Sequence, residues 1–100
     1  MTQVRVTKYA RSVLTANSAG RMRLQIVVPV TGWQPQFENY FWLVRLTPSA
    51  ANGLTKESAA DAFQVKSVSE NRFERRLGYV DSELLDEVAA AIMLCIGFEL

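Results

Sequence analysis

Residues 22–31, MRLQIVVPVT, hold an unbroken apolar centre, Ile26-Val27-Val28, closed by Pro29. A short β-branched run of this kind suits a strand buried on both faces, with the proline near the end of its ladder. The rest of the chain is read outward from this central strand. Towards the N-terminus, Thr2–Thr7 alternates, with Val4 and Val6 on one face and Gln3, Arg5 and Thr7 on the other, as expected of an edge strand. Arg11–Ala16 is a second short extended segment, ended by the turn composition Asn17-Ser18-Ala19-Gly20. Towards the C-terminus, Gly32–Tyr40 is loop-like and Phe41–Thr47 is a β run rich in aromatic residues. A turn follows at Pro48–Gly53, and Ala62–Ser69 alternates again as a strand.

The last segment has a different period. Leu84, Leu85, Val88, Ile92, Cys95 and Ile96 recur at helical spacing on one broad face. Asp81 or Ser82 is placed to cap the free amides at the start, the acids Glu83, Asp86 and Glu87 favour that end of the dipole, and Gly97 can close the helix. Five or so strands followed by one helix, with no helix between strands, predict a mainly β antiparallel barrel or sheet with a C-terminal helix.

At 100 residues the chain affords one domain and one thin core, which makes a homodimer a natural way to bury further apolar surface. Histidine is absent and cysteine occurs once, at Cys95. That removes imidazole bases, Ser-His-Asp arrangements, intrachain disulfides and the usual zinc sites. Neither GxxxxGK[ST] nor GxGxxG occurs, so no cofactor and no metal is expected. The first twenty residues lack the apolar run of a secretory signal, and no stretch approaches the roughly 18 apolar residues of a membrane span. The expected compartment is the cytoplasm, with no membrane partner.

The near-neutral balance conceals an asymmetry. Residues 1–37 contain Arg5, Lys8, Arg11, Arg21 and Arg23 and no acid, whereas residues 81–100 contain five acids and no base. A polyanion could use the basic front, although charges at this density also suit ordinary solvated strand faces.

Three separated strings resemble the MazF/PemK family of toxin endoribonucleases. They are Ile26–Thr31, like the family's V-P-I/V-T strand; Asn52–Ala59, like its G-L-x-K-x-S turn; and Gln64–Ser69, running on through Phe73, like its Q-I/V-R/K-S/T-I/V strand. Leu77-Gly78 and the terminal helix complete the resemblance, which covers roughly residues 10–97. It implies a small SH3-like barrel, of the MazF/PemK and CcdB-like kind, that dimerises. It further implies the toxin of a type II toxin-antitoxin system, cutting single-stranded RNA at short motifs without a metal until a cognate antitoxin binds. Family members open with a G-D/E-I/V-W strand and a D-P-x-x-G-x-E loop, which this chain lacks, and Ser12 stands where the family has proline.

In the family an Arg just before an apolar strand and the Thr of the P-I/V-T string serve attack of the ribose 2′-hydroxyl on phosphorus. The resemblance places these roles on Arg11 and Thr31. A guanidinium can grip phosphate through two parallel hydrogen bonds, and a hydroxyl can donate to the same oxyanion. The same residue types also serve as a surface ion-pair arginine and a strand-ending threonine. Arg5, Lys8, Arg21 and Arg23 are the candidate phosphate contacts, and Trp33 is the aromatic singled out for stacking an unpaired base. The other aromatics are expected in the core. Gln64 is a base-edge or scaffold residue, and Asp61 lies near the position of a catalytic acid in some members. Two further readings belong to other classes: a non-catalytic RNA- or protein-binding remnant of the same fold, and a gyrase-directed toxin.

Overall fold

Strands followed by a single helix are what the computed structural model contains; it describes residues 2–7, 11–14 and 23–98. Seven strands are assigned: β1 (Thr2–Thr7), β2 (Arg11–Leu14), β3 (Leu24–Gly32), β4 (Leu43–Leu46), β5 (Ser58–Asp61), β6 (Lys66–Ser69) and β7 (Phe73–Val80). The helix α1 spans Ser82–Cys95. All ladders are antiparallel, in the order β4-β5-β3-β2-β1-β7, with β6 also paired to β3.

β3 is central, flanked by β2, β5 and β6. Val27 and Val28 are fully buried, but Ile26 is 52% exposed, against the expectation of burial on both faces. The reason is register. Among the described residues the β2 ladder reaches Leu14 opposite Val27, and Ile26 lies beyond it, paired with Ser67 of β6.

Three other expectations are corrected. β1 is no edge strand, because it pairs with both β2 and β7. Ala62–Ser69 does not run as one strand: Asp61 accepts a 3.1 Å hydrogen bond from the Phe63 amide and starts a 3-10 turn at Ala62–Gln64, so the strand begins only at Lys66. The aromatics stay out of the core cluster, which is built from Val4, Val13, Val28, Leu46, Leu54, Ala60, Val80 and Val88.

Among the described residues no ladder joins β4 to β7, so the sheet is open and not a closed barrel. The gap is bridged by the turn after β4. The Asn52 side chain accepts from the Ser49 and Leu54 amides and donates to the Thr47 carbonyl, which fixes the turn. The Tyr79 amide of β7 then donates to the Ala51 carbonyl at 2.8 Å.

α1 seats Val88 and Ala91 fully and Leu84 and Ile92 partly against the sheet. Asp81 Oδ1 accepts from the Leu84 amide at 2.9 Å. At the other end Gly97, at φ 87°, donates to Leu94 and Phe98 donates to Met93, the paired bonds of a Schellman cap. Ile96, expected on the buried stripe, lies past the last turn and is 76% exposed. Asp81→Ala should cost about 1 kcal/mol in urea unfolding, with Asp81→Asn recovering most of it, since an Asn side chain caps equally well. A loss under 0.3 kcal/mol (roughly the spread at ordinary surface sites) would show that the bond contributes nothing.

Candidate functional site

The V-P-I/V-T string forms the outgoing end of β3, and strand register fixes what surrounds its threonine. Thr31 lies opposite Ala59 of β5, and Ala59 lies opposite Arg45 of β4, so the three share one row on one face of the sheet. Thr31 and Arg45 are exposed, and the small Ala59 between them is fully buried. Arg45 is held from two sides: its Nε donates to Glu57 Oε2 at 3.0 Å, and its guanidinium lies 4.7 Å from the Trp33 ring centroid. Trp33 is in turn anchored by its amide, which donates to the Glu57 carbonyl at 3.0 Å, and by an edge contact with Phe37. The Lys56 ammonium packs over Gly32, where an added Cβ would lie 3.3 Å from Nζ.

Arg11 opens β2 directly opposite Val30, one register position from Thr31. Both side chains are exposed at the same end of the β2–β3 ladder. Pairing with Val30 sets the Arg11 Cβ on the Val28 and Val30 face, and alternation sets the Thr31 Cβ on the other.

Arg5 is half-buried on β1, donates to Gln3 Oε1 at 3.1 Å and lies over the Phe73 ring. Arg23 precedes β3 in the left-handed region, at φ 50°, with its carbonyl accepting from the Glu70 amide. Gln64 is exposed on the 3-10 turn that follows β5. Lys8 and Arg21 lie outside the described residues. The Asp61 carboxylate is occupied by its cap on Phe63. Burial pushes the Cys95 thiol up from its ordinary pKa, and the Asp61 charge adds to it, which favours the protonated thiol.

Sequence reasoning passed over Arg45, Lys56 and Glu57. The signal was present: alternation in Leu43–Leu46 turns Arg45 away from the core that holds Leu46, and Lys56-Glu57 lies inside the turn string already quoted. A cavity of about 360 Å³ between the β4 turn, the end of β7 and the start of α1 is lined by Thr47, Asn52, Tyr79 and Asp81 among others. Arg45 also lines it, but none of the RNA-contacting or catalytic residues expected from the sequence does.

The open antiparallel sheet with its single C-terminal helix is a fold shared with known proteins. The sequence profile of the PemK-like, MazF-like toxins of type II toxin-antitoxin systems matches residues 12–96, and the chain belongs to that family. The Mycobacterium tuberculosis toxin MazF-mt6 superposes with a TM-score of 0.79 at 16% identity, over 98% of this chain and 99% of that one. A MazE-MazF crystal structure from Deinococcus radiodurans gives 0.77 at 18% identity, over 97% and 93%. An endoribonuclease in complex with its cognate antitoxin, from a mycobacterial species, gives 0.71 at 16%, over 99% and 93%. No curated protein matches in sequence.

Proposed function

We propose that this toxin is an endoribonuclease that cuts single-stranded RNA at short sequence motifs, acts as a homodimer in the cytoplasm, and is held inactive by a cognate antitoxin. The observation that carries this reading is the exposed Thr31 in one cross-strand row with Arg45, with Lys56 over the adjacent Gly32 and Arg11 opening β2 at the same end of the ladder, its Cβ on the other face. It is supported by the fold shared with an endoribonuclease bound to its antitoxin.

The ribose 2′-oxygen forms a bond to the adjacent phosphorus and passes its proton to solvent water, the bond from phosphorus to the 5′-oxygen breaks, and that oxygen takes a proton from water. The products are a 2′,3′-cyclic phosphate and a 5′-hydroxyl. Negative charge accumulates on the non-bridging oxygens in between, and there the Arg11 guanidinium and Thr31 hydroxyl donate. Arginine keeps its proton in water, so Arg11 acts by stabilising charge. Arg5, Lys8, Arg21 and Arg23 contact phosphates, Trp33 stacks a base and Gln64 meets a base edge.

Apolar surface for the second copy is available at one end of the molecule. Phe41, Trp42 and Phe63 form a ring cluster beside the 3-10 turn on which α1 packs, with Phe41 and Phe63 more than half exposed. No helix among the described residues is long and apolar enough to cross a membrane.

The test is incubation of the purified protein with an end-labelled single-stranded RNA in chelator. Discrete cuts ending in 2′,3′-cyclic phosphate are expected. RNA binding without cutting would select the non-catalytic remnant, and inhibition of DNA supercoiling by purified gyrase would select the gyrase-directed toxin.

A further inference from the structure

The face that carries Thr31 carries a second cationic feature further across the sheet. Arg5 of β1 lies directly opposite Arg76 of β7. A β-bulge between Val4 and Arg5 accommodates Leu77, which packs against the core, and leaves Arg76 facing Arg5. Like charges directly opposite each other in a ladder repel. Nothing in the described structure offsets this. Among the described residues the one ion pair is Arg45–Glu57, and neither Arg5 nor Arg76 meets a carboxylate.

What the two side chains do have is support from rings. The Arg5 guanidinium lies 5.4 Å from the Phe73 ring centroid, and that of Arg76 lies 4.8 Å from the Tyr79 centroid. A guanidinium laid on an aromatic face is held in place while the N–H groups along its edge remain free to bind. Arg5 spends one donor on the neutral Gln3 and has a shielded Nε with no acceptor. The arrangement is that of two oriented forks side by side.

Register ties the pair to the site already described. Arg5 is opposite Ser12, Ser12 is opposite Pro29, and Thr31 is two residues along β3 from Pro29, so all of these share a face. With strands about 4.8 Å apart and about 3.4 Å per residue along a strand, the Arg45 backbone lies roughly 10 Å from Thr31 on one side and that of Arg5 roughly 12 Å away on the other.

We infer that Arg5 and Arg76 form a binding site for a backbone phosphate of the RNA strand, beside the scissile one. This rests on the ribonuclease reading above. The pair holds the strand in register across the Thr31 face, with Arg45 on the far side of the threonine.

The experiment measures binding of a single-stranded RNA carrying 2′-O-methyl groups, which cannot be cut, across a salt series. Arg76→Gln should weaken binding about five- to tenfold and lower the salt slope by about 0.7, the contribution of one phosphate on a single strand. Arg76→Lys should keep the slope, because it keeps the charge. Arg5→Lys, Arg76→Gln together should lose no more than one phosphate's slope. Arg76 is exposed and Arg5→Lys keeps the long side chain and its charge, so these variants keep the fold, checked by circular dichroism. Unchanged affinity and slope in a folded Arg76→Gln, with wild-type protein still binding and cutting RNA, would overturn the phosphate site and leave the ribonuclease reading standing. If Arg76→Gln lost affinity for polyglutamate but not for RNA, the pair would serve an acidic polypeptide and the inference would fall. A wild-type protein that neither bound nor cut RNA would remove the reading and the inference together.

Discussion

Gly78→Val should leave little or no folded protein in the absence of denaturant. Gly78 is buried in β7, and a Cβ there would lie 2.1 Å from the Ala51 carbonyl oxygen and 2.7 Å from the Asn52 carbonyl carbon. Both are backbone atoms of a turn whose hydrogen bonds are internally fixed, so no side chain can swing aside. The same approach is shaped from the other strand: Gly53 sits at φ 68°, with a would-be Cβ 2.2 Å from the Leu77 carbonyl oxygen. Two glycines thus let the β4 turn lie flat on β7, where the open sheet has no ladder to hold its ends. Forcing them apart would separate Leu46 and Leu54 from Val80 in the core, at a cost above about 4 kcal/mol, comparable with the whole stability of a small domain. Gly97→Ala is the control, since nothing lies within 4 Å of its Cβ. It should lose only the left-handed preference, about 1 kcal/mol. A Gly78→Val protein with wild-type urea midpoint would show that the turn and strand are not packed as described.

This seam also marks what the sequence concealed. The central strand and the helix were legible, because burial imposes a continuous apolar run on one and a 3.6-residue period on the other. β5 was not, because Ser58-Ala59-Ala60-Asp61 has no large side chain and owes its burial to the strands on either side. β7 was not, because Phe73-Glu74-Arg75-Arg76 reads as a solvated stretch, and two register shifts break the alternation that would reveal a strand. Half-legible best describes the site. Thr31 stood out within a recognisable string, while Arg45 and Arg76 gain meaning only from the residues opposite them. Cross-strand register is set by turns and bulges, and no local pattern announces it.

Arg11→Ala and Thr31→Ala should each lower RNA cleavage about 10²- to 10³-fold, the usual loss when one donor to a developing oxyanion is removed. Thr31→Ser should keep most of the rate, because the donor is the hydroxyl, and Arg11→Lys should recover only part, because an ammonium cannot form two parallel bonds to phosphate. Binding of an uncleavable RNA should change far less than the rate in the Thr31 variants. The strand geometry makes the Arg11 arm the sharper one. Its Cβ starts on the opposite face from Thr31, so its guanidinium must reach round the strand to meet the same phosphate, a reach that only a long side chain has. Arg45 begins on the Thr31 face but is tied to Glu57 and stacked on Trp33. The rate loss in Arg11→Ala should therefore exceed that in Arg45→Ala by at least tenfold, a ratio expected of transition-state against ground-state contact. The reverse order, with Arg11→Ala still cutting and Arg45→Ala inactive, would move the charge-stabilising role from β2 to β4 and leave Thr31 in place.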